Sequence, residues 1–127
     1  METNMKESLA AGIDLERTLT TTPEMGVSHL GEGPGVFSTP SMIGQMEQTC
    51  LKCVEPHLDD NEQTVGTMVH VWHRAALPIG KEVTLRCKLL ERDRRKLLFQ
   101  VEAVAGEKVI GDGTHERFVI DKTSFGG

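Results

Sequence analysis

The apolar positions of this 127-residue chain follow two different periods, and the changes between them mark its elements. Over residues 40–56 (PSMIGQMEQTCLKCVEP) they recur at helical spacing. At about 100° per residue, Met42, Ile43, Met46, Cys50, Leu51, Cys53 and Val54 fall on one arc, with Gly44, Gln45, Gln48, Thr49, Lys52 and Glu55 opposite. Ser38 or Thr39 can cap this helix, Pro40 suits its first turn, and Pro56 marks its end. Elsewhere the period is two, the mark of half-buried strands. Residues 14–22 set Leu15, Arg17, Leu19 and Thr21 on one side. The polar stretch 57–63 (HLDDNEQ) is expected to be a solvated connection. Residues 64–74 then place Val65, Thr67, Val69, Val71 and His73 on one face, and Gly66, Met68, His70, Trp72 and Arg74 on the other. Residues 81–92 turn Val83, Leu85, Cys87 and Leu89 inward, and 96–105 do the same with Leu97, Phe99, Val101 and Ala103. Arg92–Arg95 and Gly106-Glu107 are the intervening turns. The last strand spans 108–121, where Gly111 and Gly113 predict a bulge or a close backbone approach.

A strand, one long helix and four strands in succession predict an α+β domain. Each element has a single apolar face, so a mainly antiparallel sheet of five to six strands must wrap around the one central helix. Residues 1–12 are polar and expected to be flexible, leaving 13–127 as the single domain. The open edge and outer face of such a sheet invite dimerisation. Residues 23–35 hold Gly26, Gly31, Gly33, Pro34 and Gly35 and predict a connection, with a short helical turn around 25–30. The GEGPG run lacks the preceding strand and the spacing of a phosphate-binding loop.

Composition narrows the function classes. A net charge of -5 lacks the basic excess of a nucleic-acid binder. No apolar run approaches the ~18 residues of a membrane span, and no secretory signal is visible at the N-terminus. Three cysteines, an odd number, fit reduced thiols in a cytoplasmic protein. Cys50 and Cys53 spell C-x-x-C, but they lie in the second half of the helix on its apolar side, which suits small core residues better than thiolate chemistry. His70 and His73 point to opposite faces, and no histidine–carboxylate spacing supports a metal.

Three side chains carry candidate chemistry. Glu47 lands in the apolar arc of the helix, flanked by Ile43, Met46, Cys50 and Val54. An ionised carboxylate there costs several kcal/mol unless it is paired, so it is either a structural group or a working one. Thr39 is either a plain cap or an active-site hydroxyl at a helix N-terminus. His73 closes a strand face that is otherwise valine and threonine, as a satisfied rim group or as a proton-transfer residue.

Three segments in order, Ser38-Thr39-Pro40-Ser41-Met42-Ile43-Gly44-Gln45-Met46-Glu47, then Thr64-Val65-Gly66-Thr67 running to His73, then Gly113-Thr114-His115-Glu116-Arg117, resemble the hotdog-fold thioesterases, most closely their fluoroacetyl-CoA thioesterase-like branch. The resemblance covers residues 22–121. It implies a homodimer or higher oligomer with acyl-CoA sites near the subunit interface and no separate cofactor. It puts the catalytic threonine, glutamate and histidine on Thr39, Glu47 and His73, the acyl-pocket glycine on Gly66, and an arginine of the site on Arg117. Pro40 and Gln48 replace a glycine and an aromatic residue of the fluoroacetyl enzyme, so the implied substrate is a generic small or medium acyl-CoA thioester. Arg94 and Arg95, in the one dense cationic turn, are candidate partners for coenzyme A phosphates, the alternative being a solvated hairpin tip. A non-catalytic binding protein of the same fold is the other function class, but such a pocket requires no acid, base and hydroxyl together.

Overall fold

The computed structural model describes residues 5–27, 31, 33 and 35–124. Strand β1 (Asp14–Thr20) leads to a 3-10 turn at Pro23–Met25 and two short strands, β2 (Gly26–Val27) and β3 (Val36–Phe37). Helix α1 (Thr39–Val54) follows, closed by a second 3-10 turn at Glu55–His57. Four long strands complete the chain: β4 (Glu62–His73), β5 (Glu82–Asp93), β6 (Lys96–Ala105) and β7 (Lys108–Asp121). The main sheet has five antiparallel strands in the order β1-β5-β6-β7-β4, and β2 and β3 form a separate ribbon. The α+β arrangement expected from the periodicity is present. No helix among the described residues is long and apolar enough to cross a membrane.

The helix forms where the pattern places it because its apolar side has one sheet face to cover. Met42, Met46, Cys50, Cys53 and Val54 are buried against Leu85, Cys87, Leu89, Leu97, Phe99 and Val101 of the sheet. Thr49, expected on the polar arc, is fully buried instead. Arg17 of β1 reaches across, its Nε donating to Thr49 Oγ1 (3.1 Å) and its Nη2 to Gln45 Oε1 (2.8 Å), so a polar clasp closes that flank. On the opposite flank Ile43, Glu47 and Leu51, spaced i, i+4, i+8, are only half-buried.

Three expectations need correction. The first concerns residues 1–12, expected to be polar throughout: Met5 and Leu9 are buried in the core, and the Arg92 guanidinium donates to Leu9 O at 2.7 Å, so the segment is anchored at these two residues while its other described residues are exposed. The second concerns the connection before β4, whose Glu62 is buried with Oε1 accepting from Asp59 N at 3.0 Å. The third decides the site. The ladder between β4 and β7 slips between Gly66 and Met68, leaving Thr67 as an extra residue. A bulge reverses the alternation of everything beyond it. Before it Glu62, Thr64 and Gly66 face the helix; after it Val71 packs on the core and His73 points inward. Simple alternation puts Gly66 and His73 on opposite faces, whereas in the folded chain they share one. The helical turn expected at 25–30 starts earlier, at Pro23, and Met25 is followed by extended backbone; Ser28, His29 and Leu30 lie outside the described residues, as do parts of the GEGPG run.

Candidate active site

The N-terminus of α1 is stitched to the end of β4 by the chain on either side of them. Phe37 N donates to Leu77 O (2.8 Å) and Ile79 N to Gly35 O (3.0 Å), so β3 runs beside the segment that follows His73. Ser38, not Thr39, caps the helix, its Oγ accepting from Ser41 N at 3.2 Å. The Thr39 hydroxyl is therefore free for another partner, and it meets His73 Nδ1 at 2.7 Å. His73 Nε2 is buried and has no hydrogen-bond partner among the described residues. Burial holds the pKa of His73 below its ordinary value, with the nearby Ala75 main chain working in the other direction. A neutral ring at pH 7 has a lone pair available, the state a general base requires.

The second cluster lies two helical turns along α1. Glu47 Oε2 is 3.0 Å from where a Cβ on Gly66 would stand, and His115 Cε1 and Arg117 Nη1 are 3.1 and 3.4 Å from the same point. Only a residue without a side chain lets the carboxylate approach the sheet there. Arg117 is buried and anchored on β4, with Nε donating to Thr64 Oγ1 (2.8 Å) and Nη2 to Thr64 O (2.9 Å). Burial lowers its pKa and the Glu47 carboxylate opposes that effect, yet a guanidinium stays charged at any working pH. Glu47 is thus balanced by a fixed cation, and no described residue donates a hydrogen bond to its carboxylate.

The remaining candidates sit elsewhere. Arg94 and Arg95 form the tip of the β5–β6 hairpin, where Arg94 takes a positive φ of 59°. Arg94 is almost fully exposed and pairs with its neighbour Asp93, while Arg95 donates to Val119 O and lies 3.9 Å from the buried Glu62 carboxylate. With Lys96 and the exposed ring of Phe118 they border a surface hollow of about 430 Å³. The three cysteines are buried and free. A hydrogen bond with Cys50 and burial push the Cys87 thiol up to about 12, and contact with Cys87 together with burial raises that of Cys53, so these two are inert core groups. Among the described residues no three His, Cys, Asp or Glu side chains converge to hold a metal ion.

A family model described as FlK, fluoroacetyl-CoA-specific thioesterase, matches residues 21–123. This chain belongs to the FlK thioesterase family. The fluoroacetyl-CoA thioesterase of Streptantibioticus cattleyicolor is 36% identical to it over 128 residues, 95% of this chain and 92% of that one. A solved structure of an FlK mutant in complex with fluoroacetate and CoA superposes with a TM-score of 0.84 at 35% identity, over 92% of this chain and 99% of that chain. A Thermus thermophilus protein described as a thioesterase superfamily member gives 0.79 at 27% identity, over 89% and 85%. As a member of the FlK family the chain is a thioester hydrolase of hotdog fold. Two polar residues inside those motifs, Thr64 and His115, carry no role in the sequence reading yet join the site in the fold. Both share strand parity with Arg117 or Gly66 on the inner face, and that alternation is the signal that finds them.

Proposed function

We propose that this FlK-family protein hydrolyses a small or medium acyl-CoA thioester through Thr39, Glu47 and His73. The observation that carries this reading is the half-buried Glu47 carboxylate set against Gly66 and beside Arg117, with no hydrogen-bond donor to it among the described residues. Glu47 attacks the thioester carbonyl, giving a mixed anhydride, or activates the water that does so. Neutral His73 takes a proton from the water that cleaves the thioester or the anhydride and, so protonated, passes it to the departed thiolate, while Thr39 orients its ring through Nδ1. Gly66 and Arg117 line the acyl end. Arg94 and Arg95 meet the phosphates of the coenzyme, Arg94 the more readily because Arg95 is already turned toward Glu62. No separate cofactor takes part, and a cytoplasmic setting suits the three free thiols.

Eight residues of helix separate Thr39 from Glu47, a rise of about 12 Å, too far for one carbonyl to touch both. A homodimer resolves this: Glu47 of one subunit works with Thr39 and His73 of the other. The half-buried stripe Ile43, Glu47, Leu51 and the edge position of β4 support that assembly.

Glu47→Gln and His73→Ala should each lower hydrolysis of the best acyl-CoA by about 100-fold or more. Mixing the two inactive variants after unfolding together should restore about a quarter of the parent activity, because half the dimers are mixed and each carries one intact site. Variants within a few-fold of the parent would sink the catalytic assignment. Absence of any recovery on mixing would place each site within one chain.

A further inference from the structure

We infer that His115 is a positioning residue of the active site, holding the Arg117 guanidinium beside Glu47 through a fixed ring tautomer. This rests on Glu47 being the reacting carboxylate. His115 is buried in β7, paired with Val69 immediately after the Thr67 bulge. The slip in the ladder leaves Met68 O to be satisfied from the side, and His115 Nδ1 lies 2.8 Å from it. A carbonyl can only accept, so the proton is on Nδ1. The Nε2 lone pair then faces Arg117 Nη1 at 3.1 Å and accepts from it. With the two bonds to Thr64, this gives each guanidinium nitrogen an acceptor and fixes the plane of the group.

The charged groups around the ring agree with a neutral imidazole. Arg117 lies on the same strand and Glu116 beside it, and Glu47 approaches from α1; β4 brings the Met68 carbonyl and β6 the uncharged Phe99 ring, stacked at 6.4 Å. Burial depresses the pKa of His115, the Met68 carbonyl works against it, and Arg117 depresses it further. An added proton on Nε2 would meet a guanidinium N–H head-on and put two cations in one buried space. Both ring nitrogens of His115 are engaged, by Met68 O and Arg117 Nη1, so its effect passes through Arg117 to the field at Glu47.

Two substitutions separate positioning from mere packing. His115→Gln returns an acceptor oxygen to the place of Nε2, and its kcat should stay within about threefold of the parent. His115→Asn keeps a donor for Met68 O but leaves Arg117 without its acceptor, and its kcat should fall about tenfold or more while KM changes little. Equal kcat in the two variants, or losses that merely follow their melting temperatures, would overturn the proposal. A readout independent of turnover is the ¹⁵N spectrum of the ring at neutral pH. It should show the Nδ1–H tautomer in the parent, and the Arg117 Nε–H signal should move in His115→Asn and return in His115→Gln. An Nε2–H tautomer or an imidazolium overturns the inference even if acyl-CoA is hydrolysed. A parent that hydrolyses no acyl-CoA refutes the proposed function, while the ring and guanidinium signals still test the tautomer.

Discussion

Helix α1 meets the sheet closely at two glycines, and the two contacts are built for different ends. At Gly111 a Cβ would come within 2.8 Å of Met42 Cε and of Trp72 O, so the absent side chain makes room for apolar packing and a neighbouring strand. That contact sets the start of the helix beside His73, which is paired with Gly111 across the ladder. At Gly66 the space is occupied by a carboxylate, a guanidinium and an imidazole. The first contact fixes a neutral hydrogen-bonded pair, Thr39 with His73; the second sets a half-buried carboxylate beside a buried guanidinium. In the proposed mechanism the first handles protons and the second handles charge. Joining them requires either a second subunit or a substrate long enough to span both.

The sharpest way to break this comparison is to add one methyl group at each glycine. Gly66→Ala should lower activity by about 100-fold, because the Glu47 carboxylate must shift by a few tenths of an ångström or more, and should leave the melting temperature nearly unchanged. Gly111→Ala should instead cost about 1–3 kcal/mol of stability, since backbone as well as Met42 stands in the way. Activity assays paired with thermal denaturation read both; equal effects of the two substitutions on stability would erase the distinction.

A smaller effect is expected with pH. His73 and His115 both have folded-state pKa values below their ordinary value, burial being the main cause. The unfolded chain therefore binds protons before the native one does as pH falls below about 6.5, so this contribution to stability is present above that pH and is lost below it. Melting temperature should decline from pH 7 toward pH 5, and the decline should be shallower in His115→Gln. A slope identical to that of the parent would show that His115 does not titrate in this way. The acid limb of the activity profile should likewise fall below the ordinary histidine value, because His73 stays neutral longer.

The smallest change belongs to the hairpin tip. An Arg94→Ala, Arg95→Ala double variant should raise KM for acyl-CoA by roughly two- to fivefold at low salt, with little change in kcat, since exposed charges are screened within a Debye length. An unchanged dependence of KM on salt would remove these residues from the substrate site.

Much of the molecule was legible in its pattern. The bounds of β6 and β7 match the alternation to the residue, α1 and the other long strands fall within two residues of it, and the inward sets of β5 and β6 are the buried ones. Local periodicity suffices there because each element buries one face, and covalent geometry ties face to spacing. What the pattern could not hold was anything set by pairing. The extra residue at Thr67 is visible only against the register of β7, and it alone turns Gly66 and His73 to the same side. The burial of Thr49, Glu62 and Leu9 depends on Arg17, Asp59 and Arg92, distant or structurally unmarked partners. The amphipathic pattern marked Glu47 as a carboxylate in an apolar stripe, and the tertiary structure supplied its counter-charge. A helix can specify which face a charge lies on, but only the strand packed against it decides what that charge meets.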